Sequence, residues 1–366
     1  MKISKIVVYQ IDLPCGDTYY ISGGRSFKSL DSTIVAIHTD SGITGWGEAC
    51  PFGPYYTEAF ARGVRAGIAE LAPSLLGQDP GQVEHIYQIM DATLRGHGYV
   101  KAAIDAACWD ILGKATDTPV YKLMGGKLTE ELILTSSVPS GTPEDMAANV
   151  ARFRTQGYLQ HSAKAGGDPE MDIARFSHVA SQLQAKEVLA ADANCGWLTH
   201  EAIRVAQALK GVDIYFEQPC ATFEKCVSVR KHIEQPLIPD EIIMDVNDVT
   251  RVHQHLAADV INLKITRVGG LSKARQIRDL CTSLGIGLWI QDTGGSQIAN
   301  AGIAHLGHST REETALGVWD CTELAHIAVA DHGPKLADGR MRAPDRPGLG
   351  IEPKLDVLGE PTMTFG

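Results

Sequence analysis

Between Lys164 and Asp292, six charged residues stand at nearly even intervals, each closing a short apolar run. Lys164 follows the run that ends at Ala163, and Asp192 follows Val188-Leu189-Ala190-Ala191. Glu217 follows Ile214-Tyr215-Phe216, and Asp240 follows Leu237-Ile238-Pro239. Lys264 follows Val260-Ile261-Asn262-Leu263, and Asp292 follows Leu288-Trp289-Ile290-Gln291. Successive members are 23 to 28 residues apart. Three successive members are carboxylates: Asp192, Glu217 and Asp240. Three carboxylates with positions left open for water and ligand suit a hard cation, Mg²⁺. The absence of histidine from the three argues against zinc. Lys164 precedes this triad and Lys264 follows it. A lysine near a divalent cation and partly removed from water has a lowered pKa and can act as a base. The combination points to proton abstraction next to a carboxylate, with the metal holding the resulting enediolate.

No single helix can gather residues so far apart, but a parallel barrel can. The stride is that of one strand, one helix and two short loops. Strands of a parallel sheet are buried on both faces and read as short apolar runs. Their C-terminal ends meet at one face, where active sites of such barrels lie. The rhythm starts at Glu131–Ser137 and ends near Ala315–Trp319, so the barrel is expected over residues 129–329. Asp240 is followed by Glu241. Only one of them can point inward, and Asp240 keeps the stride.

The rest of the chain reads differently. Residues 1–50 alternate as antiparallel strands, with a hairpin turn at Asp40-Ser41-Gly42. Gly-rich Ile21-Ser22-Gly23-Gly24-Arg25 reads as a mobile loop, and a polar-aromatic loop follows at Cys50–Tyr56. Helices are expected at Thr57–Leu76, Gln82–Leu94 and Tyr99–Gly113, the last with Val100, Ala103, Ile104, Ala107 and Ile111 on one face. Residues 1–128 thus form an α+β domain, and the tail, 330–366, is expected to pack back on it. At 366 residues the chain is long enough for two domains. The net charge of −11, with no basic run, speaks against nucleic acid or an anionic membrane as partner. No apolar stretch nears the roughly 20 residues needed to span a bilayer. The first residues lack a signal peptide's apolar block, so a cytoplasmic enzyme is expected, as a homo-oligomer. The eight cysteines are scattered without a CxxC pair and read as reduced thiols.

The order Lys164, Asp192, Glu217, Asp240, Lys264 resembles the muconate-lactonizing and mandelate racemase branch of the enolase superfamily. So do Ser41-Gly42-Ile43-Thr44-Gly45-Trp46-Gly47-Glu48, Glu217-Gln218-Pro219, Asp240-Glu241 and Lys264-Ile265-Thr266-Arg267-Val268-Gly269-Gly270-Leu271. The resemblance implies a (β/α)7β barrel capped by the α+β domain. It implies Mg²⁺ on Asp192, Glu217 and Asp240, and acid/base roles for Lys164 and Lys264. Cap loops around Ser22 and Tyr56 would touch the substrate. The branch usually carries Lys-x-Lys on the second barrel strand; here the first position is Ser162, which leaves the tuning of Lys164 by a second lysine in doubt. His161-Ser162-Ala163-Lys164-Ala165-Gly166-Gly167, Gly96–Lys101 and Ser136–Pro143 further resemble the cis-3-hydroxy-L-proline dehydratases of the superfamily. That likeness implies a small imino acid substrate and loss of water to give Δ1-pyrroline-2-carboxylate. In cis-3-hydroxy-L-proline the α-hydrogen and the hydroxyl lie on opposite ring faces. Elimination is then anti and needs a base on one side and an acid on the other, which two lysines across a mouth supply. Asp292 would orient Lys264 or pair with the substrate ammonium, or would only begin the following turn. Trp319 would pack on the ring or in the core. The alternative activities are 2-epimerisation of proline betaines and 4-hydroxyproline betaine with the same lysines, then dipeptide epimerisation or muconate cycloisomerisation. A binding protein on a degenerate barrel is the reading from another class.

Overall fold

In the computed structural model, which describes residues 1–366, strands β1 (Ile3–Tyr20), β2 (Ser26–Thr39) and β3 (Thr44–Ala49) form an antiparallel sheet. Gly42 closes the β2–β3 hairpin at φ 81°, a conformation that disfavours any side chain. Three helices follow: α1 (Ala61–Leu75), α2 (Val83–Thr93) and α3 (Gly98–Ala115). Helix α1 starts four residues later than expected, because Phe60 is still extended at φ −147°. Helix α3 lies directly on β3. A Cβ at Gly47 would come 1.9 Å from the Ala103 carbonyl oxygen. Only glycine on the strand and alanine on the helix allow this approach, and it fixes where β3 ends. A short helix, α4 (Val120–Leu123), completes the first domain.

Eight parallel strands follow: β4 (Leu132–Val138), β5 (Gln160–Lys164), β6 (Val188–Asp192), β7 (Ile214–Glu217), β8 (Leu237–Ile238), β9 (Val260–Lys264), β10 (Gly287–Gln291) and β11 (Ala315–Trp319). Between them run α5 (Pro143–Thr155), α6 (Pro169–Ser181), α7 (Thr199–Ala208), α8 (Phe223–Arg230), α9 (Val246–Gln254), the single turn α10 (Ile265–Val268), α11 (Leu271–Leu284) and α12 (Gln297–His308). The strands are ordered β8-β7-β6-β5-β4-β11-β10-β9. Between the ends of that row, the Asn262 N–H donates to the Pro239 carbonyl at 3.0 Å and the Asp259 N–H to that of Leu237 at 3.3 Å. The sheet is therefore a nearly closed barrel of (β/α)7β order, as the resemblance implied. Several helices start on side-chain caps: Thr142 accepts from the Asp145 N–H at 3.1 Å, and Asp168 from that of Glu170 at 2.9 Å. Trp289 plugs the barrel interior, donating its indole N–H to the Gln160 side-chain oxygen at 2.9 Å.

One hydrophobic core of 94 buried residues runs through both domains. Two cap-domain carboxylates also reach across to barrel helices whose first N–H groups lack partners within their own helix. Glu48, at the end of β3, accepts from the Ser296 N–H and the Ala299 N–H, both at 3.0 Å, at the start of α12. Asp105, on α3, accepts from the Ser272 N–H at 2.9 Å and its hydroxyl at 2.5 Å, at the start of α11. The tail divides. Its hairpin, β13 (Lys335–Ala337) with β14 (Arg340–Arg342), follows the two-residue β12 (Ala330–Asp331) and pairs with barrel strand β4. The chain then returns to the cap, where Gly348 exchanges backbone bonds with Thr118 and Val120 and, past β15 (Glu352–Pro353), β16 (Met363–Phe365) pairs with β1. All eight cysteines are free, six of them buried. No helix is long and apolar enough to cross a membrane.

Candidate active site

The strand register sets three of the charged residues at one level. Lys164 pairs with Asp192 across β5 and β6, and Asp192 with Glu217 across β6 and β7. Lys264 ends β9, four strands from β5 in the ring of eight. The two lysines thus enter the mouth from opposite walls. Both line one cavity, with Asp192, Asp292, Ser162, Gln291 and Trp319 among its other walls. The cavity itself is narrow, about 30 Å³, and opens into a mouth of about 400 Å³ that includes open solvent.

Each lysine is held by a carboxylate. Lys164 donates to Asp192 Oδ2. Burial opposes its charge, but Asp192, Tyr19 and Glu217 together raise its pKa. Lys264 donates to Asp240 Oδ2 at 2.7 Å and to the Tyr56 hydroxyl at 2.5 Å. The Asp240 carboxylate also accepts from Arg267 Nη1 at 2.7 Å, with both side chains fully buried. Burial raises the Asp240 pKa, and Arg267 and Lys264 more than reverse it, holding the carboxyl well below its usual range. Glu217 accepts from Asn262 Nδ2 and, at 3.2 Å, from the Ser162 hydroxyl. Where the resemblance would place a lysine, this chain therefore gives Glu217 a neutral donor. Burial, with Asp192 and Asp240 close by, pushes the Glu217 pKa well up.

Asp240, Asp192 and Glu217 reach the same mouth but do not gather into one coordination sphere; the lysines and Arg267 hold oxygens of Asp192 and Asp240, and Asn262 and Ser162 those of Glu217. The donor set nonetheless fits a hard dication. It offers oxygen alone, with no thiol or imidazole. Glu241, beside Asp240, keeps one carboxylate oxygen buried and without a partner. Burial and the charges of Asp240 and Asp192 push its pKa to about 8. Asn194 joins Glu241 to Asp192, donating to each at 3.1 Å.

The cap supplies the roof. Four rings pack in a row: Tyr19 on Phe27 at 5.5 Å, Phe27 on Phe52 at 4.9 Å, and Phe52 on Tyr56 at 5.3 Å between centroids. The row is anchored at both ends, by Tyr19 on the Ser137 hydroxyl of β4 and by Tyr56 on Asp240 and Lys264. The Gly-rich segment forms a short turn, Ser22–Gly24, with contacts to both domains. Arg25 donates to the Ser22 carbonyl at 2.8 Å and to that of Tyr55 at 3.1 Å, joining the two cap loops.

The four expected substrate contacts separate. Tyr56 and Trp319 face the mouth or its cavity. Asp292 lines the cavity too, but its oxygens accept from Thr266 and Thr293 and make no bond to Lys264. Burial raises its pKa to about 6 against those hydrogen bonds. Ser22 is outside the cavity lining; its buried hydroxyl donates to the Ala165 carbonyl and so rivets the cap turn to the barrel. Arg267, Asn262, Asn194, Tyr19 and Ser137 were not anticipated as site residues.

A parallel barrel with two facing lysines among carboxylates, roofed by a second domain, defines a capped-barrel enzyme. Residues 145–357 match the enolase C-terminal domain-like family, and residues 25–125 match the mandelate racemase/muconate lactonizing enzyme N-terminal domain. The chain belongs to that branch of the enolase superfamily. It is 45% identical to a cis-3-hydroxy-L-proline dehydratase of Roseibium aggregatum, with 100% of each chain covered. It is 30% identical to an N-succinyl-L-Arg/Lys racemase of Bacillus cereus, over 99% of this chain and 98% of that one. A mandelate racemase/muconate lactonizing enzyme from Roseovarius nubinhibens, solved in complex with magnesium, superposes with a TM-score of 0.97 at 39% identity over 100% of both chains.

Proposed function

We propose that the protein dehydrates cis-3-hydroxy-L-proline to Δ1-pyrroline-2-carboxylate. The observation that carries the reading is the opposition of Lys164 and Lys264 across one small cavity. The α-hydrogen and the 3-hydroxyl of this substrate lie on opposite ring faces, so their removal needs groups on both sides. Full-length likeness to a dehydratase of that substrate supports the same choice.

Lys164 takes the α-proton, and Lys264 protonates the departing hydroxyl. The ring enamine left behind tautomerises to the imine. Lys164 must give up its own proton before it can take this one, and Mg²⁺ on Asp192 would weaken the attraction that holds that proton on the lysine. Tyr56 keeps Lys264 aimed from the cap side. The aromatic row excludes bulk water, which strengthens each charge interaction beneath it. Asp192, Glu217 and Asp240, with Glu241 and Asn194 behind them, would hold Mg²⁺. That ion supplies positive charge against the second negative charge that grows on the substrate carboxylate as the proton leaves. General acid and base contributions of this kind are each worth about 10² to 10⁴ in rate.

The test is conversion of the substrate by purified protein with Mg²⁺ and with chelator, beside a proline betaine. Chelator-sensitive water loss from cis-3-hydroxy-L-proline is expected. Inversion of the betaine with no water loss would favour 2-epimerisation instead.

A further inference from the structure

The active-site cavity does not end in solid core. On its β4 side lies a second, wider pocket of about 460 Å³, against about 30 Å³ for the cavity itself. The two share Tyr19 and Ser137 among their walls. Tyr19 comes from the cap, past the irregularity in β1 between Pro14 and Tyr19, and its hydroxyl bonds that of Ser137 on the barrel. Both partners are fixed. The Tyr19 ring packs on Phe27 at 5.5 Å, and the Ser137 N–H donates to a Glu323 carboxylate oxygen at 3.3 Å. Tyr19 itself is 7% exposed. Tyr19 and its bond to Ser137 therefore stand in the wall between a narrow space and a larger, polar one.

The outer pocket is lined by Asp17, Asn149, Arg152, Glu323 and His326 beyond the shared pair. Arg152 makes no ion pair; its guanidinium lies 4.1 Å over the Phe153 ring. Asp17 offers a carboxylate in the same space, and Glu323, whose pKa burial and Asp320 push well up, offers a neutral acceptor. Such a lining can receive the free ammonium of a ligand longer than one amino acid.

We propose that Tyr19 is a size-selecting wall. It confines ligands to a single small amino or imino acid, and its removal joins the two spaces and admits a dipeptide whose ammonium reaches the outer pocket. The inference uses the cavity of the proposed function but not its reaction.

The test compares the binding of L-proline and L-alanyl-L-proline by titration calorimetry in magnesium buffer, for wild type, Tyr19→Phe and Tyr19→Ala. Wild type is expected to favour L-proline by tenfold or more. Tyr19→Phe keeps the bulk and should keep that preference, whereas Tyr19→Ala should shift the ratio at least tenfold toward the dipeptide. Tyr19→Leu serves the same purpose if the alanine variant does not fold. A folded truncation variant with an unchanged ratio, or with no dipeptide binding, overturns the wall. Conversion of cis-3-hydroxy-L-proline by wild type is read separately; its absence would remove the proposed reaction and leave the calorimetric result to decide the wall.

Discussion

The Tyr56 hydroxyl, on the cap, lies 2.5 Å from Lys264 Nζ on the barrel, and the Tyr56 ring centroid lies 4.9 Å from the same nitrogen. That hydroxyl also donates to Asp240 at 3.0 Å. One cap side chain thus touches both the proposed acid and a carboxylate of the proposed metal site. Tyr56→Phe leaves the ring in place and removes both hydrogen bonds. Bonds to charged groups are worth about 1.5 to 3 kcal/mol, so kcat should fall roughly tenfold to a hundredfold while the melting temperature hardly moves. Steady-state kinetics beside thermal unfolding would check this.

The two lysines should fail in different ways. Lys164→Ala is expected to abolish both water loss and exchange of the α-hydrogen in D₂O, by about 10² or more. Lys264→Ala should stop water loss and leave measurable α-exchange. Full dehydration by the Lys264 variant would show that the acid has been misassigned. Loss of α-exchange only in the Lys264 variant would reverse the two roles.

Glu48 and Asp105 hold the domains together through helix starts. Glu48→Ala strands the N–H groups of Ser296 and Ala299, and Asp105→Ala strands that of Ser272. Each should destabilise the protein by about 2 to 4 kcal/mol, seen as a melting temperature lower by several degrees. Unchanged melting of both variants would mean that apolar packing alone joins the domains.

His305 sets a pH limit on stability. It is buried on α12, receives the Tyr121 N–H at 3.3 Å and faces the Leu349 carbonyl at 3.1 Å, which fits a neutral ring with its proton toward Leu349. Burial lowers its pKa from 6.5 to about 4. The unfolded chain therefore takes up a proton before the folded one does. Stability present above pH 6.5 is lost as the pH falls toward 4, by an amount on the order of 3 kcal/mol for this residue. His305→Gln can keep both hydrogen bonds without titrating. Its melting temperature should fall less steeply between pH 7 and pH 5 than that of wild type, in parallel calorimetric scans.

The barrel was legible because six of the eight parallel strands are short buried runs closed by a charge, and the interval between charges is one βα unit. Lys164, Asp192 and Glu217 sit at one level for that reason. What was not legible depends on contacts between distant parts of the chain. Tyr19 meets Ser137 across 118 residues, and no local pattern marks either. Arg25 looked like part of a free glycine loop because its partners, Tyr55 and Asn194, lie on other segments. Arg267 lay inside a quoted motif but was passed over, since arginine is almost never fully buried unless paired, and its pair, Asp240, is 27 residues away. The Lys164–Asp192 pair was not legible either: the two lie 28 residues apart, and the attraction between them outweighs desolvation of the lysine.

The most direct test follows cis-3-hydroxy-L-proline by proton NMR in D₂O with the purified protein and Mg²⁺. The account predicts disappearance of the substrate with matching growth of Δ1-pyrroline-2-carboxylate, and no growth in the Lys164→Ala variant. Exchange of the α-hydrogen with the hydroxyl retained would contradict dehydration and leave the lysines serving an epimerase.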